Sequence, residues 1–130
     1  GLFAVASAPP SAKVITVETS RAAVEDARVN LRGRTARIER CEMSRWRPEA
    51  GLSIDIAIAD PARSGLGRPG TAAMIAADPD VLVLVSCDPV AMARDSDLLA
   101  RHGYRHDGTE ILDLFPHTHH VECVTRFVRA

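Results

Sequence analysis

Val81-Leu82-Val83-Leu84-Val85-Ser86-Cys87-Asp88-Pro89 is the stretch on which the fold turns. An apolar run of this length reads as a strand buried on both faces, the kind found inside a parallel sheet. Asp88 suits a helix N-cap and Pro89 a first helical position, so the spacing predicts a helix from Pro89 to about Leu99. Cys87 then stands at the exit of a central strand and just ahead of a helix N-terminus. Ligands collect at that edge of an open α/β sheet. Unpaired helix amides there favour the thiolate over the thiol. A lone cysteine is more commonly a small buried hydrophobe. Position is what sets Cys87 apart from that reading and makes it a candidate nucleophile.

Outward from this strand, the pattern repeats. Lys13 to Val17 is a β-branched strand ending on Glu18. Thr19 or Ser20 can cap a helix over about Arg21–Leu31, with Ala22, Val24, Ala27 and Leu31 as its apolar stripe. Thr35 to Glu39 reads as a short strand leading to Cys41 and Glu42. Leu52 to Ala59 alternates, with Ile54, Ile56 and Ile58 on one side, and runs into the turn-rich Asp60-Pro61-Ala62-Arg63-Ser64-Gly65-Leu66-Gly67. Pro69 is expected to open a helix that Asp78-Pro79 stops. Tyr104 to Phe115 holds one broken strand or two short ones, Pro116 to His120 a tight turn, and Val121 to Val128 a last strand. The expected fold class is therefore α/β, a doubly wound and mostly parallel sheet with a C-terminal antiparallel hairpin.

Composition narrows the classes of function. The 130 residues allow one domain at most, and an apolar share of 46% with mean hydropathy −0.02 is that of a soluble globular protein. No apolar run reaches membrane-spanning length and no signal sequence opens the chain, so a cytoplasmic monomer without membrane contact is expected. Cys41, Cys87 and Cys123 are odd in number and widely spaced, which argues against a disulfide framework. Net charge is −1, and the basic residues are arginines apart from Lys13, so no global positive field draws nucleic acid.

Polar residues converge on the carboxyl edge of this sheet. Glu18, Asp60 and Cys87 each end a parallel strand, and Glu122 joins them if the last strand runs antiparallel. Glu18 also lies 17 residues beyond Gly1, near the interval between a nucleotide-binding glycine turn and the acid that holds a ribose hydroxyl. Glu42, ending the next strand, is a weaker candidate for the same ligand. The plain alternative for both is a solvated carboxylate.

Three motifs carry a family resemblance: Asp60-Pro61-Ala62-Arg63-Ser64-Gly65; Ser86-Cys87-Asp88-Pro89 with Ala93-Arg94-Asp95; and Asp113-Leu114-Phe115-Pro116-His117-Thr118-His119-His120-Val121-Glu122. In this order and spacing the chain resembles the S-adenosylmethionine-dependent tRNA/rRNA uracil-C5 methyltransferases. The resemblance implies a class I methyltransferase fold, S-adenosylmethionine as cofactor and a uridine of tRNA or rRNA as target. It implies Cys87 as the nucleophile and Glu122 as the general base. Gly1, Glu18, Glu42 and Asp60 would line the cofactor, Asp60 and Arg63 the target base or the loop over it, and His120 would orient Glu122 or its turn. The family's first strand, central in its seven-stranded sheet, and its glycine loop would precede Gly1, so a truncated catalytic domain is expected. In that case the strands ending at Glu18 and Asp60 lack their shared neighbour. Two positions depart from the pattern: Ala62 replaces a proline, and Asp88 replaces an asparagine. A carboxylate beside the nucleophile opposes thiolate formation.

Three other readings compete. His117, His119, His120 and Cys123 are metal-ligating types, but their spacing matches no standard zinc site. A Cys87–His120–Glu122 hydrolase lacks the nucleophile-elbow glycines. A non-catalytic or incomplete module is the strongest of the three.

Overall fold

The computed structural model describes residues 1–118 and 121–130. The chain gathers into two compact units, 1–46 and 47–130, each described by itself.

The first unit holds helix α1 (Leu2–Ser7), strand β1 (Val14–Glu18), helix α2 (Arg21–Asn30), strand β2 (Ala36–Arg40) and a single 3₁₀ turn at Met43–Arg45. Strands β1 and β2 are parallel, with Glu18 level with Arg40. Helix α2 starts where the sequence permits it: Ser20 rather than Thr19 is the cap, its hydroxyl accepting from the Ala23 amide at 3.4 Å. Val24, Ala27 and Leu31 are buried, and α2 packs on β1 and β2. Ala22, expected in that stripe, is exposed, because the buried face runs through residues 24, 27 and 31 at helical spacing. Arg34 closes α1 from a distance, donating to the carbonyls of Ala8 (2.9 Å), Ala4 (3.3 Å) and Val5 (3.4 Å) at the helix end, where carbonyls run short of amide partners.

The second unit is a four-stranded sheet of order β3-β4-β6-β5, made of β3 (Ile56–Ala59), β4 (Val81–Ser86), β5 (Tyr104–Leu112) and β6 (Glu122–Arg129). Strands β3 and β4 are parallel; β6 is antiparallel to both β4 and β5. Helix α3 (Gly67–Ala77) connects the parallel β3 and β4, α4 (Pro89–Ala100) leads from β4 to β5, and the two helices pack on each other, α4 also on β4 and β5. Leu82, Leu84, Leu99 and Phe127 form the fully buried centre, each worth about 1.5–3 kcal/mol of apolar transfer. The α/β class and the closing antiparallel hairpin agree with the pattern read from the sequence. No helix is long and apolar enough to cross a membrane among the described residues.

Two boundaries differ from expectation, each for a physical reason, and a third segment takes one of its two expected forms. Strand β3 is four residues, Ile56–Ala59, instead of beginning at Leu52. Before it the backbone turns at Gly51, whose φ of +80° suits glycine. Its isoleucines face out, Ile56 61% and Ile58 36% exposed, while Ala57 and Ala59 are half-buried. Helix α3 starts at Gly67, two residues before Pro69, because its first amides are capped from α4, as described below. Tyr104 to Leu112 is one strand broken by a bulge between His106 and Thr109, where Gly108 takes φ +131°.

Candidate functional site

Strand β4 delivers Cys87 to the carboxyl edge of its sheet. The turn that follows is built from its own side chains. The Ser86 hydroxyl accepts from the Asp88 amide (3.3 Å) and donates to the Asp88 carbonyl (3.1 Å), bracing the backbone on either side of Cys87. Asp88 caps α4, its Oδ1 accepting from the Ala91 amide at 2.8 Å, with Pro89 in the first turn. The carboxylate that departs from the family pattern is thus committed to the helix start, where negative charge is favourable. Cys87 itself is half-buried, neither sealed in the core nor fully solvated.

Glu122 arrives by strand pairing. Strands β4 and β6 run antiparallel from Val81↔Val128 to Ser86↔Cys123, so Cys87, the residue after β4, and Glu122, the first of β6, both lie just beyond that last pair. Glu122 also opens β6 and pairs with Leu112 of β5, which holds its backbone from the other side. It is half-buried.

Asp60 comes from the neighbouring parallel strand. Ala59 is level with Leu84, so Asp60 leaves β3 beside the last residues of β4, on the edge that carries Cys87. The residue is exposed overall, but partial withdrawal of its carboxyl from water raises its pKa above the ordinary value. Arg63, on the loop that follows, is exposed. Asp60, Cys87 and Glu122 therefore share one sheet edge within the second unit.

Gly1, Glu18 and Glu42 belong to the first unit. Glu18 ends β1, half-buried, with its Oε1 held by the Ser20 amide at 2.8 Å and the Thr19 hydroxyl at 3.4 Å. Glu42 follows the end of β2, exposed, with Oε2 accepting from Ser44 at 3.4 Å. Both acids leave parallel neighbours at the same end. Gly1 lies against α2, where a Cβ would stand 3.0 Å from Ala27. His120 lies outside the described residues.

Asp95, quoted above within the second motif, was given no role by the sequence. Asp95 of α4 is 1% exposed and accepts from the Leu66 amide at 2.6 Å and the Gly67 amide at 3.1 Å. Its signal was available: Ala91, Met92, Asp95 and Leu99 are the buried stripe of α4, and a carboxylate on a buried stripe must have partners. Ser86, a polar residue at the end of an apolar strand, carried a similar signal.

Comparison with known proteins gives this edge its context. No family model matches the chain. An uncharacterized RNA methyltransferase of Streptomyces avermitilis is 37% identical over 129 residues, covering 95% of this chain and 30% of that protein. The 23S rRNA (uracil(1939)-C(5))-methyltransferase RlmD of Shewanella piezotolerans is 35% identical over 98% of this chain and 29% of its own length. The Pyrococcus abyssi tRNA (uracil-54, C5)-methyltransferase, solved in complex with S-adenosyl-L-homocysteine, superposes with a TM-score of 0.81 at 33% identity. It covers 97% of this chain and 31% of that one. Along nearly its whole length the chain is similar to a segment of RNA methyltransferases. Its fold is that of the class I methyltransferases, which the more distant likeness to an RNA methyltransferase homologue of Pyrococcus horikoshii also carries (TM-score 0.67, 19% identity, 91% of this chain and 62% of that one). The chain spans about 30% of the length of the curated relatives it matches.

Proposed function

We propose that this chain carries the catalytic edge of an S-adenosylmethionine-dependent RNA methyltransferase acting on C5 of a uridine, in tRNA or rRNA. The observation that supports the reading is the β4–β6 pairing, which ends at Ser86↔Cys123 and so leaves Cys87 and Glu122 on the sheet edge where Asp60 also emerges. Its chemical partner is the identity shared with one rRNA and one tRNA uracil-C5 methyltransferase.

The residues suit the cofactor. Glu18 ends a parallel strand with one carboxylate oxygen tied to its own turn, leaving Oε2 as an acceptor for ligand hydroxyls. Glu42, just past the end of β2, adds negative charge suited to a sulfonium, and Gly1 stands at the start of α1. S-adenosylmethionine, when bound, supplies the electrophilic methyl group.

Uracil C5 is a poor nucleophile, and Cys87 changes that. Its thiolate adds to C6, forming an S–C6 bond and shifting the C5–C6 π pair onto C5 and the O4 carbonyl. With C5 methylated, the Glu122 carboxylate removes the remaining C5 proton. The electron pair of that C–H bond restores the C5–C6 double bond and expels the Cys87 thiolate. Asp60 lies at the rim of the reacting base, and Arg63 braces its loop or meets an RNA phosphate. A base inside folded RNA has to leave its stack to reach the edge. The test is transfer of labelled methyl groups to tRNA and rRNA transcripts, with nucleoside analysis of the product. The expected product is 5-methyluridine; methylation of another base or atom would sink the reading.

A further inference from the structure

Residues 60–66 form the loop between β3 and α3, and they and Gly67, the first residue of α3, are fastened to α4 by two adjacent side chains far along the chain. Asp95 takes the Leu66 amide on Oδ2 (2.6 Å) and the Gly67 amide on Oδ1 (3.1 Å). Its Oδ1 also receives Arg94 Nε (3.1 Å) and Nη2 (3.0 Å). The same Nη2 donates to the Ser64 carbonyl at 2.6 Å. Helix α3 has no cap of its own, since its N-cap residue is Leu66. Asp95 supplies that cap across the fold.

The loop is shaped to receive the clamp. Gly65 adopts φ +73°, and a Cβ there would stand 2.4 Å from Asp95 Oδ2, 2.7 Å from Arg94 Nη2 and 3.2 Å from Ala91 Cβ. Only a residue without a side chain lets the backbone come this close. With the Asp95 side chain 1% exposed, its charge is sustained by these four bonds together.

We propose that Asp95, with Arg94, is a positioning residue. It locks residues 60–67 onto α4, the helix that follows Cys87, and so fixes where Asp60 and Arg63 sit relative to the nucleophile's turn. The lock is local: the carboxylate holds the loop and the start of α3, while the β4–β6 ladder stands without it. Its relevance to methyl transfer rests on the function proposed above.

The test compares Asp95→Asn, Arg94→Ala and Gly65→Ala with the unaltered chain. The first two remove donor–acceptor pairs from the helix side, and the third pushes the loop away from its own side. Amide exchange at Leu66 and Gly67 should accelerate about tenfold or more, while Leu82, Leu84 and Val124 keep their protection. Trypsin should cut faster after Arg63, whereas Arg68 precedes Pro69 and resists. Unchanged exchange at Leu66 and Gly67 would overturn the proposal, and so would uniform loss of protection in all three variants, which marks a general structural role. In methyl transfer to an RNA transcript, kcat should fall about tenfold or more, with a smaller change in KM for S-adenosylmethionine. A loss confined to KM would overturn the link to the reaction. If the unaltered protein transfers no methyl group, the function fails, and exchange and proteolysis still decide the clamp.

Discussion

Cys87 and Glu122 occupy the next positions beyond the Ser86–Cys123 pair of the β4–β6 ladder, although 35 residues separate them in the chain (122 − 87). Their roles are separable by mutation.

Cys87→Ala should abolish the covalent complex with an RNA carrying 5-fluorouridine, read as a band of retarded mobility on a denaturing gel. The residue is half-buried and small, so stability should shift by no more than about 1 kcal/mol. Adduct formation by the alanine variant would remove Cys87 from the mechanism.

Glu122→Gln should do the opposite with ordinary uridine RNA. The adduct forms and methylation proceeds, but loss of the C5 proton stalls, so covalent complex accumulates and turnover drops about 10²–10⁴-fold, the range for loss of a general base. Turnover at the unaltered rate would show that another group takes the proton.

Asp60 offers a pH test. Burial raises its pKa in the folded chain above the ordinary carboxylate value, so the folded state binds more protons than the unfolded state across the window between the two. Stability from this group therefore falls as pH rises through that window and stays low at neutral pH. Asp60→Asn should raise the denaturation midpoint at pH 7, with the gain shrinking as pH falls toward about 3.9. A gain that grows on acidification would contradict the assignment.

Phe127 anchors the second unit. It is 1% exposed, level with Leu82 and His106 in its two ladders, and set edge-on to the His106 ring at 6.0 Å. Phe127→Ala should cost about 3–5 kcal/mol in urea denaturation, since the cavity lies between strands that cannot collapse onto it. A loss under about 1 kcal/mol would mean that the sheet repacks freely.

Much of this was legible in the residues themselves. The run from Val81 to Pro89 encodes a buried strand, a capped helix and the cysteine between them, because apolar periodicity and helix capping act over a few neighbouring residues. The positions of Glu18 and Asp60 at strand ends followed from the same local rules. Even the bulge in β5 was foreshadowed by Gly108 in an otherwise strand-like segment.

Tertiary structure alone decided the rest. That β6 inserts between β4 and β5 and meets β4 in the register that brings Glu122 to the edge where Cys87 leaves β4 depends on pairing energies summed over two whole ladders. That α3 begins at Gly67 depends on Asp95, 29 residues beyond Leu66, because an amide is indifferent to whether its acceptor is near or far in sequence. Local chemistry names the candidates for strand, helix and site; only the folded chain's long-range hydrogen bonds select which of them meet.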